Sequence, residues 1–133
     1  MHGEPVNESS EWTRAQQEFF EAADHLTLAV DDGSDLTVDV GMVVVNGRVY
    51  VRAFGGRGSQ WFRAAVRHRA GRITVRQETF AVRLAQADDD MAEAVDDGYR
   101  RRYAESSALV LSERVRQATL CIYPHEDRAS GEG

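Results

Sequence analysis

Three arginines surround one glycine-rich segment and could bind an anion there. The segment Phe54–Ser59 reads FGGRGS, and Ser59 is a suitable N-cap for a helix that follows it. Glycines expose backbone N–H groups, and a helix start presents unpaired donors with a partial positive charge. Arg52 precedes the segment, Arg57 lies inside it and Arg63 follows one turn into the helix. Together these residues could hold a phosphate group. The alternative is a glycine-rich turn that only caps a helix.

Two pairs of aromatic residues could line a ligand pocket. Trp61 and Phe62 directly follow the glycine-rich segment. One of them must pack on the core, and the other could stack on a ligand ring. Tyr99 and Tyr103 are four residues apart, so they share one face of a predicted helix and could reach over a pocket. Packing in the hydrophobic core is the alternative for all four.

The charge distribution places a basic centre in an acidic protein. The chain has 133 residues and a formal net charge of −6, it contains no Lys, and residues 48–76 carry eight Arg and no acid. Such a block attracts phosphate or nucleic acid, unless its arginines pair with the flanking carboxylates. The absence of Lys excludes Schiff-base catalysis and a Lys-containing phosphate loop. The acidic total and the lack of a helix-turn-helix pattern argue against nucleic acid as a partner.

Nucleophilic and metal-dependent catalysis find little support in the sequence. The four His lack ligand spacing, and no Ser lies in a G-x-S-x-G motif. The single Cys121 excludes a disulfide within the chain and a cysteine-based metal site, so we expect no metal. No window is long and apolar enough to cross a membrane, and the N-terminus lacks the pattern of a secretory signal. These features predict a cytoplasmic protein.

The spacing of apolar residues predicts the elements that must position these side chains. Helical spacing predicts helices over 11–23, 60–70 and 88–102, with Ser10 as the first N-cap and Gly71 as the left-handed residue that ends the second helix. Alternation predicts six strands, at 26–30, 36–45, 48–53, 72–77, 79–86 and 118–123. Asn46-Gly47 predicts a type I′ hairpin turn.

This order of elements predicts an α+β protein. Its architecture is a small six-stranded antiparallel split β-barrel with flanking helices. The barrel forms a single domain over residues 10–124, and residues 1–9 and 125–133 are predicted to be flexible tails.

One stretch of the chain resembles a known family. Val43–Ile73, VVVNGRVYVRAFGGRGSQWFRAAVRHRAGRI, is similar to the uncharacterised bacterial family called domain of unknown function 2255. Tyr99–Tyr103 and Ala118–Leu120 before Pro124 also resemble it, so the resemblance covers roughly residues 12–124. More distantly, the order of elements resembles deazaflavin-dependent nitroreductases and pyridoxamine-phosphate oxidases. The resemblance implies a split barrel, usually a homodimer, that binds a flavin or deazaflavin beside the barrel.

The resemblance also implies roles for particular residues. In those families the loop and helix start that correspond to 57–63 contribute to phosphate binding. The implied cofactor-binding residues are Arg52, Arg57, Ser59, Trp61 and Arg63, and the implied substrate-pocket residues are Tyr99 and Tyr103. One departure concerns the segment between the first two strands, which is usually basic and contains proline. Here Ala29–Asp35 is short and acidic, and its carboxylates would repel a phosphate.

Two functions are consistent with these residues. The first is an oxidoreductase that uses FMN or a deazaflavin to act on a small organic molecule, with the hydride chemistry supplied by the cofactor. The second, motivated by the acidic segment, is a cofactor-free barrel that binds, isomerises or cyclises a small hydrophobic molecule. The sequence assigns no acid–base residue, so whether the chain is an enzyme stays open. A homodimer is expected in either case.

Overall fold

A computed structural model describes residues 11–34, 36–53, 56–103 and 113–125, and the side chains of Arg57, Glu113 and Arg114 lie outside this description. The helices are α1 Arg14–Glu21, α2 Gln60–His68, α3 Ala92–Arg102 and α4 Glu113–Arg116. The strands are β1 Leu26–Val30, β2 Val38–Val40, β3 Met42–Val45, β4 Arg48–Arg52, β5 Ala70–Val75, β6 Glu78–Gln86 and β7 Thr119–Pro124. Short 3₁₀ turns at Gly56–Gly58 and Asp89–Met91 precede α2 and α3. The tails predicted at 1–9 and 125–133 lie, except for His125, outside the described residues.

All seven strands form one antiparallel sheet in the order β2-β1-β5-β6-β7-β4-β3. The two edge strands, β2 and β3, follow each other in the chain with only Gly41 between them. The sheet must therefore curl until its two edges meet at Gly41. The α+β class and the antiparallel pairing agree with the sequence prediction, but the number of strands was wrong. The segment predicted as one strand over 36–45 changes partner at Gly41, from β1 to β4, and so forms two strands.

Alternation along the strands separates two apolar clusters. The larger cluster fills the inside of the curl, where side chains such as Val49, Val51 and Ile122 meet Phe20 from α1 and Phe62 from α2. The smaller cluster lies on the outer face of the sheet, where α3 covers β3 and the neighbouring strands with Val95 and Tyr99. The burial of both clusters is the main stabilising contribution to the fold.

The ends of α1 and α2 differ from the sequence prediction. Helix α1 is capped by Thr13 and not by Ser10, since the Thr13 hydroxyl accepts the Gln16 N–H at 3.1 Å and the Gln16 side chain accepts the Thr13 N–H at 2.9 Å. Helix α2 ends at Arg69, which takes the left-handed conformation with φ 64°. Gly71, predicted for that role, lies inside β5. The predicted type I′ turn is confirmed, because φ is positive at both Asn46 and Gly47, 53° and 82°.

Candidate functional site

A cleft opens between α2 and the segment that joins β1 to β2, and we call it the Trp61 cleft. Its volume is about 230 Å³. Apolar side chains from the two strands and the helix form its wall: Leu28, Val30, Val38, Trp61 and Ala64. Polar side chains, among them Asp32, Ser34 and Gln60, also line it. An apolar wall with a few convergent polar groups is the usual composition of a small-molecule site.

A basic recess adjoins the Trp61 cleft and shares Asp32, Gln60 and Ala64 with it. Its remaining lining comes from α2, which contributes Arg63, Arg67 and His68, and its volume is about 480 Å³. Gln60, Arg63 and Arg67 recur at helical spacing, so they project from one side of α2. Within the described residues no carboxylate lies within ion-pair distance of Arg63 or Arg67. The recess can therefore accept an anion from solution.

The acidic segment predicted to repel phosphate has an ordered arrangement in its described part. Asp31 pairs with Arg72 at 3.2 Å, with Asp31 directed away from the cleft lining. One carboxylate oxygen of Asp32 accepts hydrogen bonds from the Ser34 hydroxyl at 2.7 Å and the Ser34 N–H at 2.9 Å. These bonds, with a smaller effect from the charge of His68, hold the pKa of Asp32 below its ordinary value. Asp32 thus presents one negative charge where the cleft meets the recess.

Of the predicted cofactor residues, Trp61 and Arg63 lie in the cleft and the recess. Ser59 is the N-cap of α2, as predicted, but its side chain makes no capping hydrogen bond. It precedes Gln60, which lines both cavities. Arg57 belongs to the 3₁₀ turn before α2, and its side chain lies outside the described part of the chain.

Arg52 is not available to a cofactor, which corrects its predicted role. Its side chain is buried on the outer face of the sheet, beneath α3. Nη1 forms an ion pair with Asp96 Oδ1 at 2.6 Å, Nε donates to Thr119 Oγ1 at 2.9 Å and Nη2 donates to the Ala92 carbonyl at 3.2 Å. Strand alternation directs Arg52 away from the interior, because its neighbour Val51 belongs to the inner cluster.

Tyr99 and Tyr103 lie apart from the Trp61 cleft, which corrects the predicted substrate pocket. The Tyr99 hydroxyl donates to the Gly41 carbonyl at 3.0 Å, and only 2% of the residue is exposed. The Tyr103 hydroxyl accepts the Met42 N–H at 3.1 Å and lies 2.9 Å from the Asp24 carbonyl, to which it donates. The hydrogen bonds of both side chains thus connect the end of α3 to the backbone at Gly41 and Met42, where the two sheet edges meet.

Sequence reasoning missed several residues that line these cavities. Arg67, His68 and Gln60 were part of the helix or of the basic block but were given no role. The signal was present: Gln60, Arg63 and Arg67 share one helix side, while Phe62 and Ala65 point to the core. Asp32 was noticed only as a source of repulsion, because its position opposite α2 depends on the curl of the sheet.

The described residues show neither a cluster of metal ligands nor a membrane-spanning helix. Among them, no three His, Cys, Asp or Glu side chains come together in a way that could hold a metal ion. No helix in the described ranges combines the length and apolar character needed to span a membrane.

Comparison with known proteins agrees with the resemblance found in the sequence. The model of a family described as "Uncharacterized protein conserved in bacteria (DUF2255)" matches residues 17–122. A search of the curated proteins found no match.

Several solved structures share the fold. A FAD and heme binding protein from Mycobacterium smegmatis aligns with a TM-score of 0.58 and 16% identity, over 86% of this chain and 67% of that one. The conserved hypothetical protein Rv2991 from Mycobacterium tuberculosis aligns with a TM-score of 0.60 and 13% identity, over 88% and 82%. A nimC/nimA family protein from Clostridium acetobutylicum aligns with a TM-score of 0.57 and 14% identity, over 93% and 87%. At these identities the likeness establishes the fold alone.

Proposed function

The chain belongs to the DUF2255 family, and we propose that it is an oxidoreductase that binds FMN or a deazaflavin and acts on a small organic molecule. One observation carries the proposal. The aromatic, apolar wall of the Trp61 cleft continues into a recess that contains Arg63 and Arg67, neither of which pairs with an acid among the described residues. A phosphorylated ring cofactor has the same two parts, a flat apolar ring and a terminal anion.

The described residues fit such a cofactor at both ends. Small-molecule pockets usually measure about 300–1,000 Å³, so a cleft of about 230 Å³ suits the ring alone. The phosphate-bearing side chain of the cofactor would extend from the ring into the basic recess, where Arg63 and Arg67 would hold the phosphate. Asp32, which lies where the cleft meets the recess, would accept hydrogen bonds from hydroxyl groups on the side chain of the cofactor.

The protein and the cofactor have separate roles in this proposal. Trp61 would orient the ring, and the apolar wall would exclude water from one of its faces. When bound, a flavin or deazaflavin supplies hydride transfer chemistry, which no side chain can supply. The fold shared with a mycobacterial protein that is named for binding FAD supports a flavin as the ligand.

A comparison of FMN with riboflavin tests the proposal, since the two differ only in the phosphate. We expect the double variant R63Q/R67Q to bind FMN about tenfold more weakly than the native protein, because it lacks two charge-assisted contacts. Its affinity for riboflavin should not change. Arg100→Gln is the matched control, since Arg100 is an exposed arginine on α3 and pairs with Asp97. Equal losses of FMN and riboflavin affinity, or no loss of either, would contradict the proposed phosphate contacts.

A second candidate function is a cofactor-free barrel for a small hydrophobic ligand. The small volume of the Trp61 cleft and the Asp32 carboxylate beside its apolar wall favour it. That carboxylate would repel a phosphate but would accept a hydrogen bond from an uncharged ligand. Mass spectrometry of the freshly purified native protein distinguishes the two functions. A bound flavin would exclude the second function, and a bound small apolar compound would support it.

A further inference from the structure

A groove lies on the side of α2 away from the Trp61 cleft. Its volume is about 440 Å³, and its main lining residues are Val66 and Arg69 at the end of α2 and Arg83, Ala85 and Tyr123 from β6 and β7. Val66 lies about 200° round the helix from Ala64, which faces the cleft. The helix therefore separates the two cavities.

The fold brings the two arginines of this groove together. Arg69 ends α2 in the left-handed conformation, and its carbonyl accepts the Leu84 N–H at 2.9 Å, which ties the helix end to β6. Arg83 stands opposite Tyr123 in the β6–β7 pairing. Directly paired residues project from the same sheet face, so Arg83 and Tyr123 share one face of the sheet.

No acid in the described part of the chain balances the positive charge of the groove. No carboxylate lines it, and no described acid lies within ion-pair distance of Arg69 or Arg83. By contrast, Arg48, Arg72 and Arg100 each pair with a described acid. In a chain with net charge −6, two arginines in one concavity that pair with no described acid create a local positive potential.

The chemistry of the lining defines a class of ligand. Guanidinium groups match the geometry of phosphate and carboxylate oxygens. The Tyr123 ring and the Val66 side chain offer an apolar surface beside the arginines. We propose that this groove is a second binding site, for a small organic phosphate whose apolar part rests on Val66 and Tyr123. The proposal does not depend on the function of the Trp61 cleft.

Titration of the full chain with phenyl phosphate, followed by calorimetry and by amide NMR shifts, tests this site. We expect saturable binding, shifts at Arg69 and Ala85, and a weaker affinity for inorganic phosphate, which lacks the apolar part. No saturation, or equal affinity for the two probes, would overturn the proposal.

Single-charge variants locate the bound probe. Arg69→Gln and Arg83→Gln should each weaken binding of phenyl phosphate about fivefold, as expected for one partly exposed charge contact. Both positions are exposed, so these variants should fold. Arg100→Gln, with the same change in net charge, should bind as the native chain does. An unchanged affinity in Arg83→Gln would overturn the assignment. So would a loss found only in R63Q/R67Q, which would place the probe in the basic recess.

Discussion

Asp96 holds two arginines at once beneath α3. Its Oδ1 lies 2.6 Å from Arg52 Nη1, and its Oδ2 lies 3.1 Å from Arg116 Nε. The Arg52 side chain is fully buried, and Asp96 is almost so. Removing one partner from a buried ion pair leaves the other charge without compensation, which is costly in free energy. This cluster joins α3 and α4 to the outer face of the sheet.

We expect Asp96→Asn to lower the free energy of unfolding by about 3 kcal/mol, because both arginines lose their counter-charge. Its neighbour Asp97 is the control, since it pairs with Arg100 and both side chains are more than half exposed. Asp97→Asn should cost less than about 1 kcal/mol. Urea unfolding of the two variants measures both effects. Equal losses would show that burial of the Asp96 pair contributes no more than a surface pair does.

Two phenols and a thiol lie together on the outer face of the sheet. Burial raises the pKa of Tyr50 to about 12, and it also raises the pKa of Cys121 and Tyr123. The folded state therefore keeps these protons at a pH where the unfolded chain, with a tyrosine pKa of about 10, loses them. The stabilisation is complete below the unfolded pKa values and is lost as the pH rises through the folded ones.

Stability should therefore fall with rising pH on the alkaline side, and Tyr50→Phe should make that fall shallower. Urea unfolding at a series of alkaline pH values measures the slope for each protein. A native chain whose stability does not change over this range would contradict the expectation. So would an identical slope in the native and variant proteins.

The position of a candidate site residue could be predicted from the sequence only where a single element decides it. Trp61 and Arg63 were selected for their place at the start of α2, and they line the two cavities. Arg52 was a candidate because it precedes the glycine-rich segment. It is buried instead, because α3, much later in the chain, supplies its partner Asp96. Nothing in the local pattern around Arg52 contains that information.

At the scale of elements, the close approach of the β1 and β5 backbones explains the glycine at position 71. Gly71 lies in β5 opposite Val30 of β1. A Cβ at this position would meet the Ala29 carbonyl oxygen well inside contact distance. The sequence suggested a helix cap for Gly71, because glycine is common there. The structure shows a different reason for glycine at this position: the backbone of β1, which is distant in sequence, approaches it closely.

We expect Gly71→Ala to destabilise the protein by about 2 kcal/mol, since β1 and β5 would have to separate. Gly58→Ala is the matched control, because a Cβ at Gly58 would meet nothing within 4 Å and φ there is not positive. It should change stability by less than about 0.5 kcal/mol. Thermal unfolding of both variants tests the pair. A Gly71→Ala variant as stable as Gly58→Ala would contradict the register of β1 and β5.

Most of the elements could be predicted because their apolar residues repeat with a clear period. The break at Gly41 could not, since alternation continues from Val40 to Met42 while the pairing partner changes. The hydroxyls of Tyr99 and Tyr103, from a much later part of the chain, lie beside Gly41. Contacts between residues so far apart in the chain leave no local signal.

At the scale of the whole molecule, helix α2 has a cavity on each side of it. The Trp61 cleft and the groove that contains Arg69 and Arg83 are lined by different residues of the same helix. Leu36, on the cleft lining, is 62% exposed, and it is the one large apolar side chain so exposed among the described residues. A single exposed apolar residue is common on protein surfaces, and Leu36 lies at the edge of the proposed ligand cleft.

We propose that a second copy of the chain covers Leu36, in keeping with the family resemblance. Light scattering should then return twice the mass of one chain. Leu36→Gln should shift the protein towards the mass of one chain at low concentration, because the contact loses apolar area. A native protein with the mass of a single chain would contradict the proposed dimer.

We propose above all that the Trp61 cleft and the basic recess together bind a phosphorylated flavin or deazaflavin. Titration of the purified native chain with FMN and with a deazaflavin, followed by cofactor absorbance and fluorescence, tests it most directly. We predict saturable binding of at least one of them with a Kd of about micromolar, equivalent to about −8 kcal/mol. The absence of saturable binding for both would contradict the claim.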